Sequence, residues 1–185
     1  MKKLICISIL TAALSALSFA DVLLSAYNSI SPLVLTSDYS SYNIPHLKNY
    51  PNSNIGGSIL FSLPHPEHFN FYVGPGTSII TSDYGFPAIC LTLNGALSYS
   101  FHEEKWPRCE ILLLTNCGAG FSFIKSIEYY MFANAAPYFT FMPAKDKNGF
   151  FFGFGPHVGY LQAANWEFYN QITVGLSAIG GYRWH

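Results

Sequence analysis

Apolar and small polar residues alternate with a period of two along most of this chain. The clearest run is Ile89, Leu91, Leu93, Gly95, Leu97, Tyr99 and Phe101, interleaved with Ala88, Cys90, Thr92, Asn94, Ala96, Ser98 and Ser100. A strand sends successive side chains to opposite faces, so this segment has one bulky apolar face and one small polar face. No helix produces that pattern. The same signal recurs around 54–63, 69–79, 109–123, 129–141, 150–160 and 173–184. A weaker first strand runs from about Val22 to Thr36, where Asn28 and Pro32 interrupt the apolar face, and Leu112 and Leu114 also break the alternation. The pattern predicts about eight strands in an all-β meander of hairpins. The connectors carry turn residues. Pro64-His65-Pro66-Glu67, Ser82-Asp83-Tyr84-Gly85 and Ile124 to Ile127 are short. His102 to Pro107 and Pro143 to Gly149 hold most of the charge, Ala164 to Asn170 precedes the last strand, and Ser37 to Pro51 is the longest connector.

Alternation alone does not say which face points outward, but the chemistry of the polar face does. A soluble surface wants roughly 25–35% charged residues. Here that face is Ser, Thr, Asn, Gly and Ala. Small uncharged side chains suit the interior of a narrow barrel, since about eight strands leave room inside for side chains alone. The bulky face is continuous, as lipid contact requires. Hydrocarbon also demands closure, because each unpaired backbone group at an open edge costs several kcal/mol. The fold expected is a closed, antiparallel, up-and-down transmembrane β-barrel of about eight strands.

Composition supports this reading. Charged residues make up 10% of the chain and aromatics 17%, against about 25% charged in ordinary globular proteins. After Ala20 no stretch approaches 18 uninterrupted apolar residues, so the hydrophobicity is dispersed rather than gathered into spanning helices. The first residues read as an export leader: Lys2 and Lys3, an apolar run from Leu4 to Leu17, and Ser18-Phe19-Ala20 as a small-x-small cleavage site. About 16 residues separate Lys3 from that site, short of the roughly 20 needed to span as a helix. Asp21 rather than Cys follows the site, which argues against a lipid anchor. Residues 1–20 are therefore expected to be a cleaved signal peptide and 21–185 a single barrel domain. Without Lys2 and Lys3, seven basic residues face ten acidic ones, and no basic patch points to nucleic acid. Cys90, Cys109 and Cys117 remain, an odd number that forms no disulfide framework; they read as small apolar strand residues.

Aromatics fall near the strand ends: Phe69 and Phe71, Tyr99 and Phe101, Phe121 and Phe123, Tyr129, Phe139 and Phe141, Tyr182 and Trp184. They resemble the interfacial girdles of membrane barrels. In pattern over its whole mature length, the chain resembles the small eight-stranded bacterial outer-membrane barrels, the group of the OmpA transmembrane domain, OmpX and OmpW. Its last strand resembles the group's C-terminal assembly signal, departing from it by one residue because His185 follows Trp184. The resemblance implies multi-pass residence in the bacterial outer membrane after export through the periplasm. It further implies contact with outer-membrane lipid and with the barrel-assembly machinery, and both termini on the periplasmic side. It also implies a narrow or gated pore for small solutes, hydrophobic ones among the candidates. The alternative is a non-conducting barrel serving envelope integrity or adhesion through its outer loops. Large inward side chains such as Tyr72, Phe132 and Tyr138 favour a plugged lumen, whereas a continuous path past Gly153, Gly155 and Gly159 would favour transport.

The candidate chemistry lies in the lumen. Glu110 and Arg183 both face inward near the periplasmic end of their strands, where a buried charge needs a partner. They are either an ion pair across the barrel floor or two separately solvated end charges. His157 is the mid-strand lumen histidine, either a proton-sensitive gate or a hydrogen-bonded filler beside Asn94, Asn116 and Asn134. No Ser, His and acid constellation is visible, so no enzyme activity is expected. His65, Glu67 and His68 lack the helical H-E-x-x-H arrangement and read as a polar turn, so no metal or cofactor is expected.

Overall fold

The computed structural model describes residues 21–38, 46–48, 52–63, 69–81, 87–101, 108–122, 128–143, 148–164 and 168–184. Residues 1–20, expected to be a leader, the His65-Pro-Glu67-His68 segment expected to be a polar turn, Phe123 and most of the connectors lie outside the described residues. The described chain is all strand: β1 (Val22–Asp38), β2 (His46–Lys48), β3 (Asn52–Leu63), β4 (Phe69–Thr81), β5 (Ala88–Ser100), β6 (Arg108–Ser122), β7 (Glu128–Met142), β8 (Gly149–Ala164) and β9 (Phe168–Trp184). Every neighbouring pair is antiparallel. The order runs β1-β3-β4-β5-β6-β7-β8-β9, and β1 pairs with β9 to close the ring. Eight long strands thus form an up-and-down barrel. The short β2 pairs with the outer part of β1, Val34 with Lys48 and Thr36 with His46, and continues the wall line of β3.

Several expectations change. The longest connector is partly strand: β1 runs on to Asp38 and β2 falls inside it, since the ends of a hairpin satisfy their backbone groups by pairing. The segment Ala164 to Asn170 shortens for the same reason, because Ala164 pairs with Phe168 and Gln162 with Asn170. Asn28 faces outward in phase with Leu24, Ala26 and Ile30, and the break in alternation after Ile30 has its cause in a β-bulge. The β1–β9 register shifts between Ile30 and Leu33, so Ile30, Pro32, Leu33 and Leu35 all face outward. One extra residue flips the phase of a period-two pattern.

The outward face is predominantly apolar, broken by Asn28, Thr77 and Thr115. Leu91, Leu176, Phe150 and Phe154 are each at least 70% exposed. The inward face is closed by two packed clusters. One, toward the chain termini, holds Leu23, Tyr27, Leu60, Tyr72, Leu112, Leu114, Tyr138, Met142 and Phe151. The other, toward the opposite rim, holds Ile80, Cys90, Tyr130, Phe132 and Leu161. Large residues fit a narrow ring because glycines sit beside them. Tyr27, Phe132 and Phe151 stand directly across the ladder from Gly56, Gly118 and Gly181. Each ring occupies the space that a Cβ on its glycine would take. The rings therefore lie along the wall, where they cover exposed backbone.

Prolines interrupt the wall from outside. Pro32, Pro75, Pro137 and Pro156 all present their rings outward. The β7–β8 ladder runs to the pair Ala135/Val158 and resumes at Phe139/Phe154. In that register Pro137 stands opposite Pro156, and neither has an N–H to give. The gap covers three residue pairs. The Pro137 carbonyl packs against Gly155 at the place where a side chain would begin.

Candidate functional site

The inward face forms layers along the barrel axis. The floor, near the termini, is a bidentate ion pair. Glu110 on β6 accepts from both Arg183 terminal nitrogens on β9, Nη1 to Oε1 and Nη2 to Oε2, each at 2.7 Å. The strands lie three apart around the ring, so the pair spans the lumen. Ser100 on β5 donates to Glu110 Oε1 at 3.0 Å. The guanidinium lies 5.7 Å from the centre of the Tyr72 ring on β4. Both charged side chains are 4% exposed. Two parallel charge-assisted bonds of this kind are short and directional, and the planar guanidinium also stacks on an aromatic face. The floor therefore ties β4, β5, β6 and β9 together through side chains, independently of the backbone ladder.

Above the floor lies the first apolar cluster, and above that a polar waist. Asn94, Asn116 and Asn134 stand in one row across β5, β6 and β7. Asn94 donates to Thr92 Oγ1 at 2.9 Å. Tyr138 and Ser177 share a hydrogen bond of 2.7 Å, and Ser177 donates onward to the Asn28 carbonyl at 3.0 Å. His157 Nδ1 lies 3.2 Å from Ser31 Oγ, and Asn52 donates to Gln171 at 2.7 Å. The second apolar cluster caps this layer. Two voids inside the waist have volumes of about 20 and 10 Å³, each on the scale of a single water.

The structure brings Glu110 and Arg183 together across the lumen. It sets His157 among the waist residues and keeps the three asparagines in one tier. Tyr72, Phe132 and Tyr138 are buried in the lumen as their inward phase implied; the aliphatic residues that plug it beside them were less visible in the sequence. Leu60, Leu112, Leu114 and Ile179 are buried inside, and each is a large apolar residue at a position where the period calls for a small polar one. These exceptions to the alternation were the signal, since an apolar residue on the polar face has to be covered by something within the ring. Of the aromatics at strand ends, all ten within the described residues face outward or lie half-exposed. Neighbours among them touch: Phe69 with Tyr99 at 5.0 Å between ring centres, Phe141 with Phe152 at 5.3 Å, and Tyr182 with Trp184 at 4.5 Å. Outside the barrel, a shallow groove of about 750 Å³ follows the small outward residues Gly95, Thr115, Cys117, Ala133 and Ala135. Its walls are apolar, and it belongs to the outer surface rather than to the lumen.

Compared with known families, curated proteins and solved structures, the chain matches none. The closed eight-stranded antiparallel architecture fits that of small outer-membrane barrels, and its reading rests on its own side chains.

Proposed function

We propose that this chain is an integral outer-membrane barrel that seals rather than conducts, serving as a fixed structural or surface-presenting element of the envelope. One observation carries the reading: an apolar exterior surrounds an interior closed by packed side chains. The exterior has the dimensions of a bilayer. On β5 the outward face runs from Ile89 to Tyr99; at roughly 3.3 Å per residue and a tilt of about 40°, that rises ~25 Å, the height of the apolar band in such barrels. Aromatics border it, with Tyr99 and Trp184 at one end and Phe121 and Tyr129 at the other. No helix among the described residues is long and apolar enough to cross a membrane, so strands would do the crossing.

The narrow-pore alternative asks for a path past Gly153, Gly155 and Gly159. The space beside Gly159 is taken by the Asn134 and Thr173 side chains, and Thr140 lies against Gly153. Tyr72, Tyr130 and Tyr138, none more than 2% exposed, fill the section above and below. The same proposal includes the rest of the expected setting: export by the leader, assembly by the barrel-assembly machinery through the last strand, and outer loops facing the exterior.

Two measurements test it. In planar bilayers the folded protein is expected to insert without stepwise current. Sustained conductance from the unmodified chain would exclude a sealed lumen and return the pore reading. Leu91→Arg, on the exposed mid-strand position of β5, is expected to cost about 2–4 kcal/mol of stability in lipid, as charged substitutions at a bilayer midplane do. The check is denaturant unfolding in vesicles. A cost within about 0.5 kcal/mol, the range of ordinary surface substitutions, would mean that this face does not meet acyl chains.

A further inference from the structure

We propose that the polar waist is an internal hydration site, in which His157 and Asn54 hold water in the two adjoining voids and His157 is kept as the Nε2–H tautomer. The inference is separate from whether the barrel conducts, and it rests on an accounting of donors and acceptors. Both voids are lined by Ser29, Asn54, Asn134 and His157. Asn52 completes the larger void and Asn116 the smaller. Five buried polar atoms around them have no protein partner: His157 Nε2, Asn52 Oδ1, Asn54 Oδ1, Asn116 Oδ1 and the Tyr27 hydroxyl, the last beside the smaller void. Their residues are at most 7% exposed. An orphaned polar atom at this depth is costly, and five around two adjoining voids form a site rather than an accident of packing.

The chemistry of the lining selects the occupant. Neither void is lined by a carboxylate, a lysine or an arginine, so an ion there would carry an uncompensated buried charge. The ligand is therefore neutral. The volumes of about 20 and 10 Å³ admit species of the size of one water each. Amide oxygens only accept hydrogen bonds, so whatever bridges them must donate. A water giving both its protons to carboxamide oxygens has only acceptor capacity left toward the imidazole. His157 must then donate through Nε2–H. That leaves Nδ1 as a bare acceptor, and the Ser31 hydroxyl, 3.2 Å away, donates to it. The water that receives the one Nε2–H makes three hydrogen bonds, the usual number for buried water, and the other is held by its two bonds to carboxamide oxygens. The waist thus links β1, β3, β6 and β8 through solvent where direct side-chain bonds do not reach.

The experiment is nitrogen-15 NMR of the full folded chain in detergent micelles near neutral pH, with His157 assigned through its own backbone. The expected result is protonation at Nε2, an acceptor-type shift at Nδ1, and a magnetisation-transfer peak between Nε2–H and water. In Asn54→Leu, which removes the shared acceptor and fills the space, the water peak is expected to vanish while Nδ1 keeps its shift from Ser31. Protonation at Nδ1 with Nε2 bare would overturn the proposal. So would a dry site in the unmodified protein, with the Asn54 amide turned to donate directly to Nε2.

Discussion

Replacing Arg183 with methionine is expected to lower stability by about 3–5 kcal/mol, because it takes the bidentate countercharge from a Glu110 carboxylate buried inside the barrel. The carboxylate accepts two bonds at 2.7 Å from Arg183 and one at 3.0 Å from Ser100. With the guanidinium gone, the Ser100 hydroxyl alone remains of these partners, and a lone hydroxyl is a poor substitute for a countercharge. Glu110→Leu is expected to cost a similar amount, since it strands the guanidinium, for which the Tyr72 ring face offers only partial compensation. The double variant, Glu110→Leu with Arg183→Met, behaves differently. Removing both charges at once also removes both desolvation penalties, and well-packed apolar replacements of buried ion pairs are often neutral or stabilising. The double variant is therefore expected to recover most of the loss. The measurement is urea unfolding of the three variants in the same detergent, followed by tryptophan fluorescence. Additive single effects of less than about 0.5 kcal/mol would mean that the two charges are not coupled.

A second large effect is expected at Gly155. A side chain at this position would start inside the Pro137 carbonyl and press on the Tyr138 backbone. These are main-chain atoms with no rotamer to yield, so relief requires moving the wall. Gly155→Val is expected to cost about 3 kcal/mol or more, at the upper end of overpacking penalties, and to prevent refolding at raised temperature. Gly180→Ala is the matched control, because the nearest atom to its added methyl is the Phe151 oxygen at 3.7 Å, an ordinary contact. It is expected to be neutral within about 0.5 kcal/mol. Equal behaviour of the two variants, measured by the change in gel mobility between folded and boiled barrel, would sink the argument that the β7–β8 gap depends on that glycine.

The two effects share a cause that runs through the whole ring. A narrow barrel has no spare volume, so each inward position is decided with its neighbours across the ladder. Phe151 fits because Gly181 is opposite, and Asn134 folds down because Gly159 leaves room. Such pairings are hard to read from one strand alone. Gly56 is one more small residue on a small face until Tyr27 is placed beside it by the β1–β3 register. The register in turn depends on where each hairpin turns, which the period does not state.

By itself the sequence determined the class of fold, the number of long strands and the face each strand turns outward. Those follow from a period of two, which is local, and from a polar face too poor in charge to meet water. It also pointed to Glu110 and Arg183, since two charges on an inward face have few other places to go. Only the tertiary structure decided that they meet, that Leu112, Leu114 and Tyr138 close the lumen between them, and that the first strand changes phase at a bulge. Those outcomes depend on which residues become neighbours when the last strand pairs with the first, and no local pattern along the chain carries that information.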